Sequence, residues 1–167
     1  RFGGGFRASL AIMLVTALGL WLGSLMPWLD QARLGPTPWA AYAWAFAVLV
    51  IPNLLFQAAL LFMLATLTRS MLYSYIGVIA FIVLWTMSGY LTRDLDSRWI
   101  GAMLDPSGLT AVSEHIRYWS SDQYNSQLPA LTGLLLGNRL LWLGATAAML
   151  TAAFRLFRAD REGIVLR

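Results

Sequence analysis

The 167 residues are 59% hydrophobic and only 12% charged, about half the charged share usual in soluble domains. That much apolar surface needs lipid around it, and the absence of cysteine excludes disulfides and thiolate metal sites. All twelve basic residues are arginine; with no lysine to reach nucleotide phosphates there is no Walker A loop, so the chain is not a P-loop ATPase.

The apolar runs follow in chain order. Ala8 to Leu29 carries no charge and as a helix would be about 33 Å long, enough to cross a bilayer core. Within it Gly19 and Gly23 form a small-xxx-small pair that predicts close approach of a neighbouring helix. Trp21 and Trp28 mark its far end as an aromatic belt. The Gly3-Gly4-Gly5 run ahead of it reads as a flexible junction. Pro27, Asp30 and Gly35-Pro36-Thr37-Pro38 predict a loop. A second span is predicted over 39–68, longer than a bilayer needs, with Pro52 removing a backbone bond and bending it. Arg69 separates it from a third span over 71–91, an antiparallel hairpin. Residues 93–129 hold most of the acidic groups and the single histidine. A fourth span is predicted over 131–154, followed by a basic tail of Arg155, Arg158, Arg161 and Arg167. No repeat of 20–50 residues is visible. The expected fold is therefore all-α: one transmembrane domain, an integral membrane bundle of about four spans with an outer amphipathic helix over the 93–129 loop.

Three places carry candidate chemistry. In the loop, Asp105 and Pro106 read as an N-cap and a first helical residue. Leu109, Val112, Ile116 and Trp119 then recur at helical spacing, with Glu114 and Arg117 paired at i,i+3. This predicts an interfacial helix that either caps the bundle or gates it. In the second span Asn53 and Gln57 lie four apart just after Pro52, as interhelical glue or as substrate contacts. In the fourth, Asn138 and Arg139 interrupt an apolar run, and Arg139 is either a functional intramembrane cation or a headgroup anchor that snorkels. His115 has only Glu114, Asp105 and Asp122 nearby, and zinc needs three or four ligands, so no metal or cofactor is expected. No nucleophile, base and oxyanion set can be assembled. The net charge of +4 does not point to nucleic acid, because the arginines stand at the ends of apolar runs, where they set topology and meet lipid headgroups.

Several segments together resemble one family. They are Arg1-Phe2-Gly3-Gly4, the Ile51-Pro52-Asn53-Leu54-Leu55-Phe56 bend, the Leu67-Thr68-Arg69-Ser70 turn, Leu104-Asp105-Pro106-Ser107-Gly108, and the stretch from Gly137-Asn138-Arg139 through Trp142 to Gly144. Over nearly the whole chain these look like ABC-2 type transporter permeases, most of all the branch whose long chains can carry a zinc aminopeptidase domain. The aminopeptidase zinc motif is absent here, so that activity is not carried over. The resemblance implies the last four of six spans of one permease half, with a cytoplasmic coupling helix and two spans upstream in a longer protein. It implies a bacterial inner-membrane exporter, a second permease half or protomer, and a separate cytoplasmic ABC ATPase subunit. In that setting Pro52, Asn53 and Gln57 would serve helix bending and packing, and Asp105 to Trp119, including Pro106, Glu114 and Arg117, an outer gate. Two other readings compete: the membrane anchor of a peptidase without transport, and a secondary transporter or channel. The position of every Asp and Glu outside the predicted spans counts against proton coupling.

Arginine asymmetry sets the expected orientation. Arg1, Arg7, Arg69, Arg155, Arg158, Arg161 and Arg167 fall on one side. Arg33, Arg93, Arg98 and Arg117 fall on the other, diluted by Asp30, Asp94, Asp96, Asp105, Glu114 and Asp122. The positive-inside rule puts the first side in the cytoplasm. Single cysteines placed in this cysteine-free chain should react with an impermeant thiol reagent in intact cells at position 110 and not at position 69. The opposite pattern would invert the topology.

Overall fold

The computed structural model of the chain describes residues 2–29, 37–68, 71–94 and 96–161. Expectations placed on Arg1, on the loop at 30–36, on the turn at Arg69 and Ser70 and on the residues after Arg161 lie outside them. Every regular element among the described residues is a helix. They are α1 (Phe2–Ser24), α2 (Trp39–Ala45), a π-helical turn (Phe46–Val50), α3 (Ile51–Thr68), α4 (Met71–Leu91), α5 (Arg98–Leu104), α6 (Leu109–His115), α7 (Ser121–Ser126) and α8 (Gly133–Arg161).

Three stretches are long and apolar enough to cross a bilayer: Gly3–Ser24, Trp39–Thr68 and Gly133–Arg158; within α4, Tyr75–Leu91 forms a shorter apolar run. Their packing inverts that of a soluble domain. Large apolar side chains such as Val15, Leu20, Ile79, Leu140 and Phe154 face outward, while Ser88, Asp105, Ser107, Asn138, Arg139 and Thr146 are buried. Water would penalise both halves of that arrangement, whereas lipid favours it, because hydrocarbon solvates apolar side chains and leaves every polar group to find a partner inside the protein. The build is that of a multi-pass membrane protein.

The π-helical turn has a local cause. Pro52 has no N–H, and its ring would press on the carbonyl four residues back in a regular helix. The turn before it widens, so that the Ile51 N–H bonds the Phe46 carbonyl five residues back, and the helix continues unbroken in sequence from Trp39 to Thr68.

The helix α3 lies at the centre, against α8, α4 and α1. Phe56 meets the Trp142 ring edge-on at 5.0 Å between centroids. The helices α5 and α6 fold back as a pair: α5 rests on α4 and α8, and α6 on α8 and α5. Where they meet α8, Ala102, Ala111 and Leu135 form a small buried core, joined by Trp44 and Val112.

Four expectations are corrected here. The Gly3–Gly5 run is the first turn of α1 rather than a junction, as a chain entering lipid must pair its backbone internally. The small-xxx-small pair is not used for close packing among the described residues: a Cβ on Gly19 or Gly23 would meet nothing within 4 Å. Arg155 and Arg158 continue α8 and are not a separate tail. The fourth concerns the Leu109 stripe. The helix α6 ends after seven residues at His115, and Leu109 is 52% exposed while Ala111 is fully buried. Val112 is half-buried against the Ala111–Leu135 core, so the stripe divides between two faces.

Gly101 makes a measurable claim. A Cβ there would sit 2.8 Å from the Ser88 backbone oxygen and 2.8 Å from Thr92 Cγ2, and a backbone oxygen cannot swing aside. Gly101→Ala should destabilise the fold by about 1–3 kcal/mol, seen as a lowered thermal midpoint in detergent. Gly144→Ala, with nothing near its Cβ, should leave the midpoint level or raise it. Equal midpoints would contradict the close approach of α4 and α5.

Candidate functional site

The turn between α5 and α6 is Asp105-Pro106-Ser107-Gly108, all four buried. Gly108 has φ +74°, a left-handed conformation that glycine adopts without strain. A Cβ on it would overlap the Arg139 guanidinium, so glycine is required for space as well as for conformation.

Each short helix leaves unpaired backbone groups at this turn, and side chains from three other helices or from the turn itself answer them. At the end of α5, Asn138 Nδ2 of α8 donates to the carbonyls of Ala102 (2.7 Å), Met103 (3.4 Å) and Asp105 (2.8 Å). One turn further along α8, Trp142 Nε1 also donates to Met103 O at 3.0 Å. At the start of α6, the Asp105 carboxylate accepts from Ser107 N (2.8 Å), Ser107 Oγ (2.6 Å) and Thr110 N (2.8 Å). A carboxylate thus sits at the positive end of α6. Asp105 therefore caps the helix from three residues before its Gly108 N-cap, rather than as the N-cap itself, and Pro106 lies in the turn.

Arg139 is 4% exposed and all three of its guanidinium nitrogens are engaged. Nε donates to Asn138 Oδ1 at 2.9 Å, NH1 to Asn53 Oδ1 at 3.0 Å, and NH2 to Pro106 O at 3.1 Å and to Asn138 Oδ1. Every acceptor is a neutral carbonyl or amide oxygen. Asn53 completes the ring by donating from Nδ2 to Ser107 O at 2.8 Å. From α4, Ser88 Oγ donates to Gly101 O at 2.8 Å and is hydrogen-bonded to the Thr110 hydroxyl at 3.0 Å. Burial excludes the snorkelling alternative for Arg139: its side chain turns into the protein.

The structure thus brings Asn53, Asp105, Pro106 and Arg139 together, with Pro52 one residue away. It does not bring in Gln57, which faces outward beside a cavity of about 140 Å³ lined by Leu60, Leu61, Gly77, Val78 and Phe81. Glu114 and Arg117 form their expected pair at 2.9 Å, away from the cluster. Trp119 belongs to an aromatic row with His115 and Tyr124. Ser88 was not singled out by sequence reasoning, and Ser107, Gly108 and Trp142 entered only as members of the family-like segments, with no role of their own. Only Ser107-Gly108 carried a usable signal, since Pro-Ser-Gly is turn chemistry that interrupts a helix begun at Pro106. Among the described residues no group of three His, Asp or Glu could hold a metal ion.

The cluster can fix the relative positions of α3, α8 and the α5–α6 pair. No family model, no curated protein and no solved structure matches the chain.

Arg139→Lys keeps the charge and loses the planar fork that reaches three partners at once. It should lower stability by roughly 1–3 kcal/mol. Asn138→Ala, which strips the carbonyls of α5, should cost on the order of 3 kcal/mol. Glu114→Gln should stay within about 0.5 kcal/mol, as for exposed ion pairs. Thermal unfolding of the purified variants in detergent would check the order; a harmless Arg139→Lys would mean that charge alone is at work.

Proposed function

We propose that the chain is part of the transmembrane permease of an ATP-binding-cassette exporter. It forms the translocation path with a second permease half and is driven by a separate cytoplasmic ATPase subunit. In this reading α4 is a fourth span, both ends of the chain face the cytoplasm of a bacterial inner membrane, and the α5–α6 pair is the outer gate. The observation that carries the reading is the link from gate to path. The turn of the folded-back pair is hydrogen-bonded to Asn53, the residue after the proline that reshapes the longest apolar helix. A helix that flexes at Pro52 would pull on Ser107 and on Arg139 together. An inert anchor for an extramembrane enzyme has no use for such a link. The family resemblance of the Ile51–Phe56, Leu104–Gly108 and Gly137–Gly144 segments points the same way.

The full-length protein should co-purify with a distinct ATPase, and ATP hydrolysis should belong to that partner. Asn53→Ala leaves Arg139 with Asn138 and Pro106, so the complex should still assemble. Its transport and substrate-stimulated ATPase activity should fall several-fold relative to basal hydrolysis. ATP hydrolysis by the permease freed of its partner, or unchanged coupling in Asn53→Ala, would overturn the proposal.

A further inference from the structure

A groove of about 540 Å³ lies between the Leu91 end of α4 and α6, within the size range of small-molecule sites, about 300–1,000 Å³. It exists because α6 is seated on α5 and α8 and is tied to α4 through the Ser88–Thr110 hydrogen bond. Its wall along α4 and the turn after it is graded. Trp85 lies at one end, Thr86 and Gly89 in the middle, and Tyr90 and Arg93 at the other. Trp85 lies six residues before Leu91, about 9 Å along the helix, and Arg93 lies two residues beyond that end. The facing wall is Leu109, Thr110, Ser113 and Glu114.

The charges in the groove are not equivalent. Glu114 is occupied by Arg117, whose NH1 donates to both carboxylate oxygens at 2.9 and 3.2 Å. Arg93 lies over the Tyr90 ring, 5.6 Å from its centroid, and has no carboxylate partner among the described residues. The groove therefore presents one cation without an ion-pair partner among the described residues, just past the end of α4, and an indole about 9 Å below that end. A free anion would satisfy the cation and leave the Trp85 end empty; a plain hydrocarbon would do the reverse. We infer that the groove binds one anionic glycerophospholipid, with its phosphate on Arg93 and the upper part of an acyl chain laid toward Trp85. The inference rests on α4 being a span whose Leu91 end meets the headgroup layer, which puts the cation at phosphate depth and the indole among acyl chains. It differs from the lipid around any membrane protein in having a second wall, α6, and a named charge.

The test uses the full chain in dodecyl maltoside, with dioleoylphosphatidylglycerol as the probe. Gly89→Cys places the only thiol in the groove at a position where a Cβ meets nothing within 4 Å. Ile12→Cys on the outward face of α1 reports ordinary surrounding lipid. The lipid should slow maleimide labelling of position 89 and not of position 12. Adding Arg93→Gln should weaken that protection about ten-fold, as expected for one charge-assisted hydrogen bond. Inorganic phosphate should not protect. Gly89→Trp, which fills the groove, should abolish retention of the lipid through purification while leaving the thermal midpoint unchanged. Equal protection at positions 12 and 89, an unaltered Arg93→Gln, or protection by phosphate alone would each overturn the inference. The labelling needs neither ATPase nor substrate, so failure of the exporter reading leaves it untouched. Extraction of the chain from membranes by carbonate would instead remove the span on which the site rests.

Discussion

A guanidinium buried on the second turn of α8 cannot be left with free N–H groups, and the helices at that end of the bundle are arranged around this demand. Arg139 lies six residues from the start of α8, about 9 Å along the axis. Water is excluded there, and an unmet donor on a charged group costs more than on a neutral one. Its four hydrogen bonds recruit α3 through Asn53, the turn after α5 through Pro106, and its own neighbour Asn138. Asn138 has both ends of its amide committed: the oxygen to Arg139 and the nitrogen to the last carbonyls of α5. Removing either residue leaves the other with an unmet group and strands the removed residue's remaining partners. The α5–α6 pair is therefore held by polar satisfaction more than by apolar burial, since its buried core is two alanines and a leucine.

The same solvent inversion decides what the sequence reveals. Long apolar runs are legible because each residue contributes to membrane partition on its own, without reference to the rest of the fold. That logic finds the helices around Leu18, Leu60 and Leu143, and it also marks Pro52 as a point of irregularity. The placement of the α5–α6 turn against α3 and α8 follows from pairing of donors and acceptors across 33 to 86 positions of sequence, and no local pattern encodes it. Asn53, Asp105 and Arg139 stood out as polar residues in unusual places. Their meeting point did not, because nothing in an isolated asparagine says which carbonyl it will serve.

The Leu109 stripe shows how a sound rule misleads when its premise changes. Apolar residues at i, i+3 and i+7 mark the buried face of a helix when the opposite face meets water. Here Gly108, just before α6, and Ala111 and Val112 on it face inward, and Leu109 faces outward. At a membrane surface, outward leucine costs nothing, and only the inward positions pressed by Arg139 and α8, Gly108 and Ala111, must be small. The relevant periodicity was that of the small residues at positions 108 and 111, three apart, which a search for apolar amphipathicity passes over.

The π-helical turn then has a role beyond accommodating Pro52. Trp44 packs on the core formed by Ala102, Ala111 and Leu135, and Asn53 reaches Ser107 and Arg139 in the same region. Nine residues separate Trp44 from Asn53, which in an uninterrupted α-helix of 3.6 residues per turn puts them about 180° apart, on opposite faces. A π-helical turn takes up one extra residue. It reduces the separation to eight effective residues, or about 80°, so both side chains can face the α5–α6 pair and α8. Proline and the widened turn are thus one device. Proline makes the widened turn favourable, and the widened turn brings an indole and an amide from two segments of one helix onto the same partner. Restoring regular α-helix there would keep the helix and lose one of those two contacts, so the irregularity is what registers the long apolar helix against the buried guanidinium.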